Sequence, residues 1–325
     1  MKIITIKESE SNIRINKYLN KLLPNCSTNL LYKLIRKNYF KINNVKVKGD
    51  ELLKTGDVIS IFLGDETYNN FVNKTLNTND TLKFDLLDIN NRIVFENDNV
   101  IIFNKIEGEL SQKDNLNSIS INEKLNNYLK NKKFSISTYK PSVINRLDIN
   151  TKGLIVFAKT YLAANVLSKL FKDRNIQKYY FTYINGILNK DKETLYGLYK
   201  KDTKDNKAYI SLINDNIESN KDIVITEYEI IKKFSDYSAI NVHLITGKSH
   251  QIRAHFSSIN HPLICDKKYM NDELYKKNKK RFKRNFQDLT CYKIVFPNSI
   301  ELEKIGLSNK AFSINYGDID KYEKI

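Results

Sequence analysis

Asn145-Arg146-Leu147-Asp148-Ile149-Asn150-Thr151-Lys152-Gly153-Leu154-Ile155-Val156-Phe157-Ala158-Lys159 joins a polar turn directly to an apolar run. The run Leu154–Lys159 is too short for a buried helix and reads as a core strand. The turn before it then stands at a sheet edge, with an arginine and a carboxylate on a rigid support. An aspartate in such a place is usually a cap or a solvated turn residue. The segment by itself decides the strand and leaves the chemistry open.

Further short strands are predicted on both sides, at Ile93–Glu96, Val100–Asn104, Tyr179–Ile184, Val224–Ile231 and Ala239–Ile245. Ala163, Val166, Leu167, Leu170 and Phe171 form the stripe of an amphipathic helix. Many strands with few helices predict an α+β domain on a mixed or antiparallel sheet, spanning residues 89–325.

A second segment, Leu244-Ile245-Thr246-Gly247-Lys248-Ser249-His250-Gln251-Ile252-Arg253-Ala254-His255-Phe256, ends a strand in a Thr-Gly turn and begins a helix. Ser249 is expected to cap that helix, which carries Ile252, Phe256 and Ile259 on its buried side. Its first N–H groups, with Lys248, are suited to hold a phosphate. His250, His255 and His261 have no cysteine pair or third close ligand beside them, so they are read as hydrogen-bonding residues and no metal is predicted.

Residues 13–63 read as a separate small unit. Ile15, Tyr18, Leu19 and Leu22 recur at helical spacing, and a second helix runs from about Thr28 to Lys37. Phe40–Val47 holds two alternating runs around Asn43-Asn44, and Lys54–Asp57 turns into a strand Val58–Leu63. Arg14, Lys17, Lys33 and Arg36 are spread along this unit, which resembles the alpha-L RNA-binding motif. Residues 64–88 are polar, lack sustained periodicity and read as a linker with a short strand at its end.

The 325 residues include 41% hydrophobic side chains, enough for a sizeable core, and carry a formal charge of +17. That charge points to an anionic partner such as nucleic acid. No apolar run approaches the roughly 18–20 residues needed to span a bilayer. The first residues meet charge too early for a secretory signal, and the three cysteines lack metal or disulfide spacing. A cytoplasmic protein, with no membrane partner, is expected. There are 46 lysines but eight arginines, so a position that holds arginine is a candidate for a planar, bidentate donor. Residues 276–284 hold seven basic residues, including Lys280, Arg281 and Arg284; the run reads as a solvated or disordered face, or as an RNA-backbone contact.

The two segments, in this order and about a hundred residues apart, resemble the signature blocks H-R-L-D-x-x-T-S-G-L and T-G-[RK]-[TS]-H-Q-I-R-x-H of the RluA-type pseudouridine synthases. Lys178–Gly186 is similar to their K-x-Y-x-A-x-V-x-G strand, His261–Tyr269 to H-P-I-x-G-D-x-x-Y, and Asn104–Gly108 to N-K-P-x-G. The resemblance implies an enzyme that detaches uracil from its ribose, rotates it and rejoins it through carbon 5, with no cofactor or metal. It implies Asp148 as nucleophile, acting by attack or by stabilising an intermediate, and Arg253 as the guanidinium that keeps it ionised. It also implies that Tyr180 stacks on the base and assists proton removal, that Leu289 packs against the base, and that Arg146 fills the space of the flipped uridine or contacts its phosphate. Lys105, Lys248, His250 and Gln251 complete the expected RNA contacts.

The resemblance further implies large-subunit ribosomal RNA as substrate and a monomeric protein. Asn145, Lys152, Ile106 and Thr290-Cys291 depart from the family letters His, Ser, Pro and His-Ala. These departures leave a rival reading, an RNA-binding ribosome-assembly factor that kept the fold and lost the chemistry.

Overall fold

The computed structural model describes residues 1–7, 10–72, 86–113, 119–132, 134, 139–213 and 222–322. The N-terminal unit contains β1 (Lys2–Thr5), α1 (Ile15–Leu22), α2 (Thr28–Arg36), β2 (Phe40–Ile42), β3 (Val45–Lys46) and β4 (Val58–Ile61). Its four strands form an antiparallel sheet in the order β1-β4-β2-β3. Ile15, Tyr18 and Leu19 of α1 bury against Leu31 and Ile35 of α2 and Phe40 and Ile59 of the sheet, as the apolar spacing requires. The Ser27 hydroxyl accepts from the Leu30 amide and caps α2. Asn43 and Asn44 both have positive φ, 47° and 67°, which turns β2 into β3 with the twist of a two-residue hairpin.

The stretch read as a linker opens instead with a helix, α3 (Asp65–Val72), whose Tyr68, Phe71 and Val72 pack against the N-terminal core. Residues 73–85 of it lie outside the described residues. Its end is a helix, α4 (Leu86–Asn91), rather than the expected short strand.

The larger unit adds β5 (Ile93–Glu96), β6 (Val100–Lys105), α5 (Ile121–Asn131), β7 (Ser142–Val143), β8 (Lys152–Ala158), α6 (Tyr161–Lys172), β9 (Gln177–Asn185), β10 (Lys192–Asp202), β11 (Lys207–Leu212), β12 (Ile223–Lys233), β13 (Tyr237–Leu244), α7 (Gln251–Ser258), α8 (Asp272–Phe282), β14 (Leu289–Val295), α9 (Ile300–Glu303) and β15 (Ala311–Ser313). The large sheet runs β11-β10-β12-β13-β9-β14-β8-β6-β5, with β7 against β8 and β15 against β14. Among the described residues β8 and β14 are the one strand pair that runs parallel, so the sheet is mixed, as the sequence predicts. Val100–Phe103 and Leu154–Ala158 are fully buried beneath α5 and α6, because central strands covered on both faces need continuous apolar runs.

Two differences concern helix positions. The run 276–284 is not a disordered face: Asp272–Phe282 is helical, capped by Asn271, with Asn278 and Phe282 buried. The helix of the second segment starts at Gln251, and its N-cap is His250 in the left-handed region (φ 55°), not Ser249. Among the described residues no helix is long and apolar enough to cross a membrane.

Candidate active site

Both signature segments open into one cleft of about 930 Å³. The Asp148 turn is clamped from two sides. Ser111 donates to the Leu147 carbonyl (2.9 Å) and accepts from its amide (3.1 Å). On the other side the Lys105 ammonium donates to the carbonyls of Ile106 (3.1 Å), Ile149 (2.8 Å) and Thr151 (2.7 Å). Lys105 is fully buried, and burial pulls its pKa down to about 8. It was expected to touch RNA; with two of its donors on this turn and the third on the Ile106 carbonyl, it acts as an internal clamp instead.

Directly after the turn, β8 meets β14 at Gly153 and Cys291. Gly153 has φ +115°, and a Cβ there would lie 2.2 Å from the Cys291 carbonyl oxygen, so only glycine permits this approach. The seam brings Leu289 of β14 and Tyr180 of β9 into the cleft that Asp148 faces.

Arg253, in the first turn of α7, joins two carboxylates. Its Nε and one terminal nitrogen donate to Asp266 at 2.7 and 2.8 Å, and the other terminal nitrogen donates to Asp148 at 3.0 Å. Desolvation works against its charge, but Asp266 and Asp148 outweigh it and raise the guanidinium's pKa. Asp266 is fully buried, so Arg253 is anchored at its far side and aimed at Asp148, which keeps a quarter of its side chain open to the cleft. The His250 ring nitrogen Nε2 lies 3.7 Å from Asp148, and Nδ1 lies 3.0 Å from the Tyr269 hydroxyl. Burial, with help from Arg253 and Lys268, lowers the His250 pKa against the pull of Asp148.

Tyr180 is almost wholly buried, and burial, then the neighbouring Cys291 thiol, raises its hydroxyl well above the ordinary tyrosine range. It is a neutral phenol that presents its ring to the cleft. Arg146 is exposed at the rim, and Lys248 lines the cleft while pairing with Asp222 at 3.5 Å.

Three other expected RNA contacts are committed elsewhere. Gln251 is buried; it accepts from the Thr246 hydroxyl and the Lys248 amide and donates to Ile225 and Thr226, tying α7 to β12. Arg281 chelates Asp236 at 2.8 and 2.6 Å, and Arg284 pairs with Glu107. Lys280 is exposed on α8, and Arg14, Lys17, Lys33 and Arg36 are exposed on the N-terminal unit, away from the cleft lining. His255 bonds Thr226 and His261 bonds the Asn185 carbonyl, the hydrogen-bonding roles expected of them.

Two departures from the family letters have visible partners. Asn145 accepts from the Val156 amide at 2.7 Å and donates to Leu154, bracing β8. Lys152 pairs with Asp288. Asp266, inside the His261–Tyr269 block, has no role that the sequence alone reveals; the fold makes it the anchor of Arg253. Glu109 is equally silent in the sequence; it binds Arg92, Lys124 and the Ile106 amide beneath the Lys105 clamp. The scarcity of arginine was a usable signal for Arg92.

Residues 99–258 match the RNA pseudouridylate synthase family. An uncharacterized RNA pseudouridine synthase of Mycoplasma genitalium is 32% identical over 301 residues, covering 91% of this chain and 89% of its own. A protein named ribosomal large subunit pseudouridine synthase C, from Rickettsia bellii, is 27% identical and covers 93% of this chain and 96% of its own. The fold is shared with the solved structure of human RNA pseudouridylate synthase domain containing 4, with a TM-score of 0.54, 18% identity, and coverage of 71% of this chain and 90% of that one. Likeness on this scale, along nearly the whole sequence and around a cleft where the signature segments converge, makes the chain a member of the RNA pseudouridine synthase family, an isomerase of the RluA type.

Proposed function

We propose that this isomerase converts specific uridines of large-subunit ribosomal RNA to pseudouridine, with Asp148 as its nucleophile. The observation that carries this reading is the chain Asp266–Arg253–Asp148, which holds a partly exposed carboxylate in a cleft shared with Tyr180. A carboxylate in a partly desolvated site tends to take up a proton, and a fixed guanidinium opposes that. Asp148 is then available as an anion beside the sugar and base of a flipped uridine.

Tyr180 offers a ring face for stacking and a hydroxyl to assist proton removal from carbon 5, and Leu289 offers an apolar wall. Arg146 at the rim is suited to the gap left by the flipped nucleotide. Residues 89–325 are the catalytic domain in this reading, acting as a monomer. Residues 13–63 are an alpha-L-type RNA-binding domain, presenting Arg14, Lys17, Lys33 and Arg36 to backbone phosphates. Ribosomal RNA is favoured by the name of the Rickettsia relative and by this basic unit.

The test is a pseudouridine map of total RNA from cells with the gene intact, deleted, or carrying Asp148→Asn. Defined large-subunit sites should vanish in both altered strains. Persistence of every site in the Asp148→Asn strain would reject Asp148 as the nucleophile, and losses confined to transfer RNA would reject the substrate.

A further inference from the structure

The cleft also holds a buried cation that the chemistry above does not use. Lys178 stands two residues before Tyr180 on the same face of β9, and its side chain lines the same cleft. It is about nine-tenths buried, yet among the described residues no carboxylate pairs with it and no hydrogen bond holds its ammonium. The other charge near it is of its own sign, Arg174, held at φ 62° just past α6. Phe171 presents its ring 5.9 Å from the Lys178 nitrogen. Space for the ammonium comes from Gly247 in the Thr-Gly-Lys turn, where a Cβ would stand 3.3 Å from Nζ.

Among the described residues every other lysine buried in the larger unit is satisfied: Lys105 by three carbonyls, Lys159 by Glu96 and the Asn97 carbonyl. A buried, unpaired cation destabilises a fold by several kcal/mol unless something neutralises it. The usual neutralising group is absent from Lys178, and the cleft is open beside it. Lys172, Arg174 and Lys248 line the same cleft as Lys178, together with Asp148, Arg253 and His250.

We propose that Lys178, with Arg174, forms a phosphate subsite that receives an RNA phosphodiester next to the target uridine. The inference rests on the functional reading above, since it places the nucleotide's base on Tyr180 and its backbone one strand position away. Burial, with Arg174 beside it, lowers the Lys178 pKa in the free protein, and an arriving phosphate reverses that by supplying the missing countercharge. The subsite therefore stores unfavourable electrostatics that RNA binding relieves.

The experiment uses the full chain carrying Asp148→Asn, so that RNA binds without turnover, and an in vitro transcript of large-subunit ribosomal RNA. Binding is measured across salt concentration with Lys178 intact and with Lys178→Met. The methionine variant should bind about tenfold more weakly at low salt, with the slope of log affinity against log salt shallower by roughly 0.7–0.9, the signature of one lost phosphate contact. Its thermal midpoint should equal or exceed that of the parent, because an unpaired buried charge has been removed. An unchanged slope with unchanged affinity and a lowered midpoint would make Lys178 a structural residue. Weaker binding at an unchanged slope would assign it to a base carbonyl; either result overturns the phosphate subsite. Failure of the catalytic reading registers separately, as absence of product from the Asp148-containing protein, and leaves the salt comparison intact.

Discussion

The Lys152 ammonium lies 3.2 Å from a carboxylate oxygen of Asp288, an aspartate that is only 2% exposed at the foot of β14. Asp288 also meets Lys321 at 2.6 Å and the Tyr322 hydroxyl at 2.9 Å, with Arg284 at 4.0 Å. The pair spans the seam between β8, the strand that follows the Asp148 turn, and β14, the strand carrying Leu289. A lysine in place of the family's serine therefore belongs to an ion network that fastens the C-terminal segment under the active site.

That network makes acid stability testable. Burial raises the Asp288 pKa, but Arg284, Lys152 and Lys321 prevail and hold it at about 2. A depressed carboxyl pKa stabilises the fold above its ordinary value near 4, and the contribution disappears as pH falls from there toward 2, about 2 kcal/mol in all. Denaturant unfolding from pH 5 to pH 2 should show this loss in the native protein. Asp288→Asn should be less stable at neutral pH by about 3 kcal/mol, since it leaves cations unpaired, and should lack that part of the acid dependence. Parallel pH curves for the two proteins would remove Asp288 from the account.

Arg253→Lys tests the bridge between Asp266 and Asp148. One ammonium cannot reproduce a fork that holds Asp266 with two nitrogens and Asp148 with a third. Single-turnover pseudouridine formation should fall by about 100-fold or more, the scale of losing a preorganised electrostatic contact, while RNA affinity stays within about threefold. A rate within threefold of the native enzyme would show that any cation suffices.

What was legible in the sequence follows from what side-chain pattern encodes. The strand after Asp148 and the α6 stripe were readable because burial imposes periodicity, and Arg253 stood out because lysine dominates elsewhere. The internal partners of Lys105, Gln251, Arg281 and Arg284 were not legible for one shared reason: residue type reveals donors, and only the fold reveals the acceptors already waiting for them. Ser249 is a good capping residue, but the chain enters α7 through a left-handed His250 that aims its ring at Tyr269, so the cap went to a residue with another task. The hairpin β10–β11 escaped notice because its burial alternates weakly at an exposed edge of the sheet.

Gly153→Ala probes the β8–β14 seam. The methyl would collide with the Cys291 carbonyl, and the backbone at φ +115° is strained for any side chain. Stability should drop by about 3 kcal/mol or more, with activity lost alongside, because separating the strands displaces Asp148 relative to Leu289 and Tyr180. Gly108→Ala is the control: its φ is +85° but nothing lies within 4 Å of the added methyl, so a loss of about 1 kcal/mol is expected. Equal losses at the two positions in urea unfolding would mean that backbone strain, not the close approach, is what Gly153 relieves.

Lys105 should leave a signature at alkaline pH. Burial lowers its pKa from 10.5 to about 8 in the folded protein, against the pull of Glu109 and Asp148. Below pH 8 both folded and unfolded chains carry the proton, and the fold bears the full cost of a buried charge. Between pH 8 and about 10.5 the unfolded chain holds more protons than the folded one, so this residue's contribution to stability grows more favourable as pH rises, by ~1–3 kcal/mol. Other groups titrate in the same range, so the measurement is the difference between native protein and Lys105→Met in urea unfolding at pH 7.5, 8.5 and 9.5. That difference should shift in favour of the native protein with each step. Lys105→Met should also slow pseudouridine formation by about 100-fold with little change in RNA affinity, because the carbonyls of Ile149 and Thr151 lose the donor that holds the Asp148 turn. A constant stability difference across pH, or a loss of affinity without a loss of rate, would remove Lys105 from its place as the clamp of that turn.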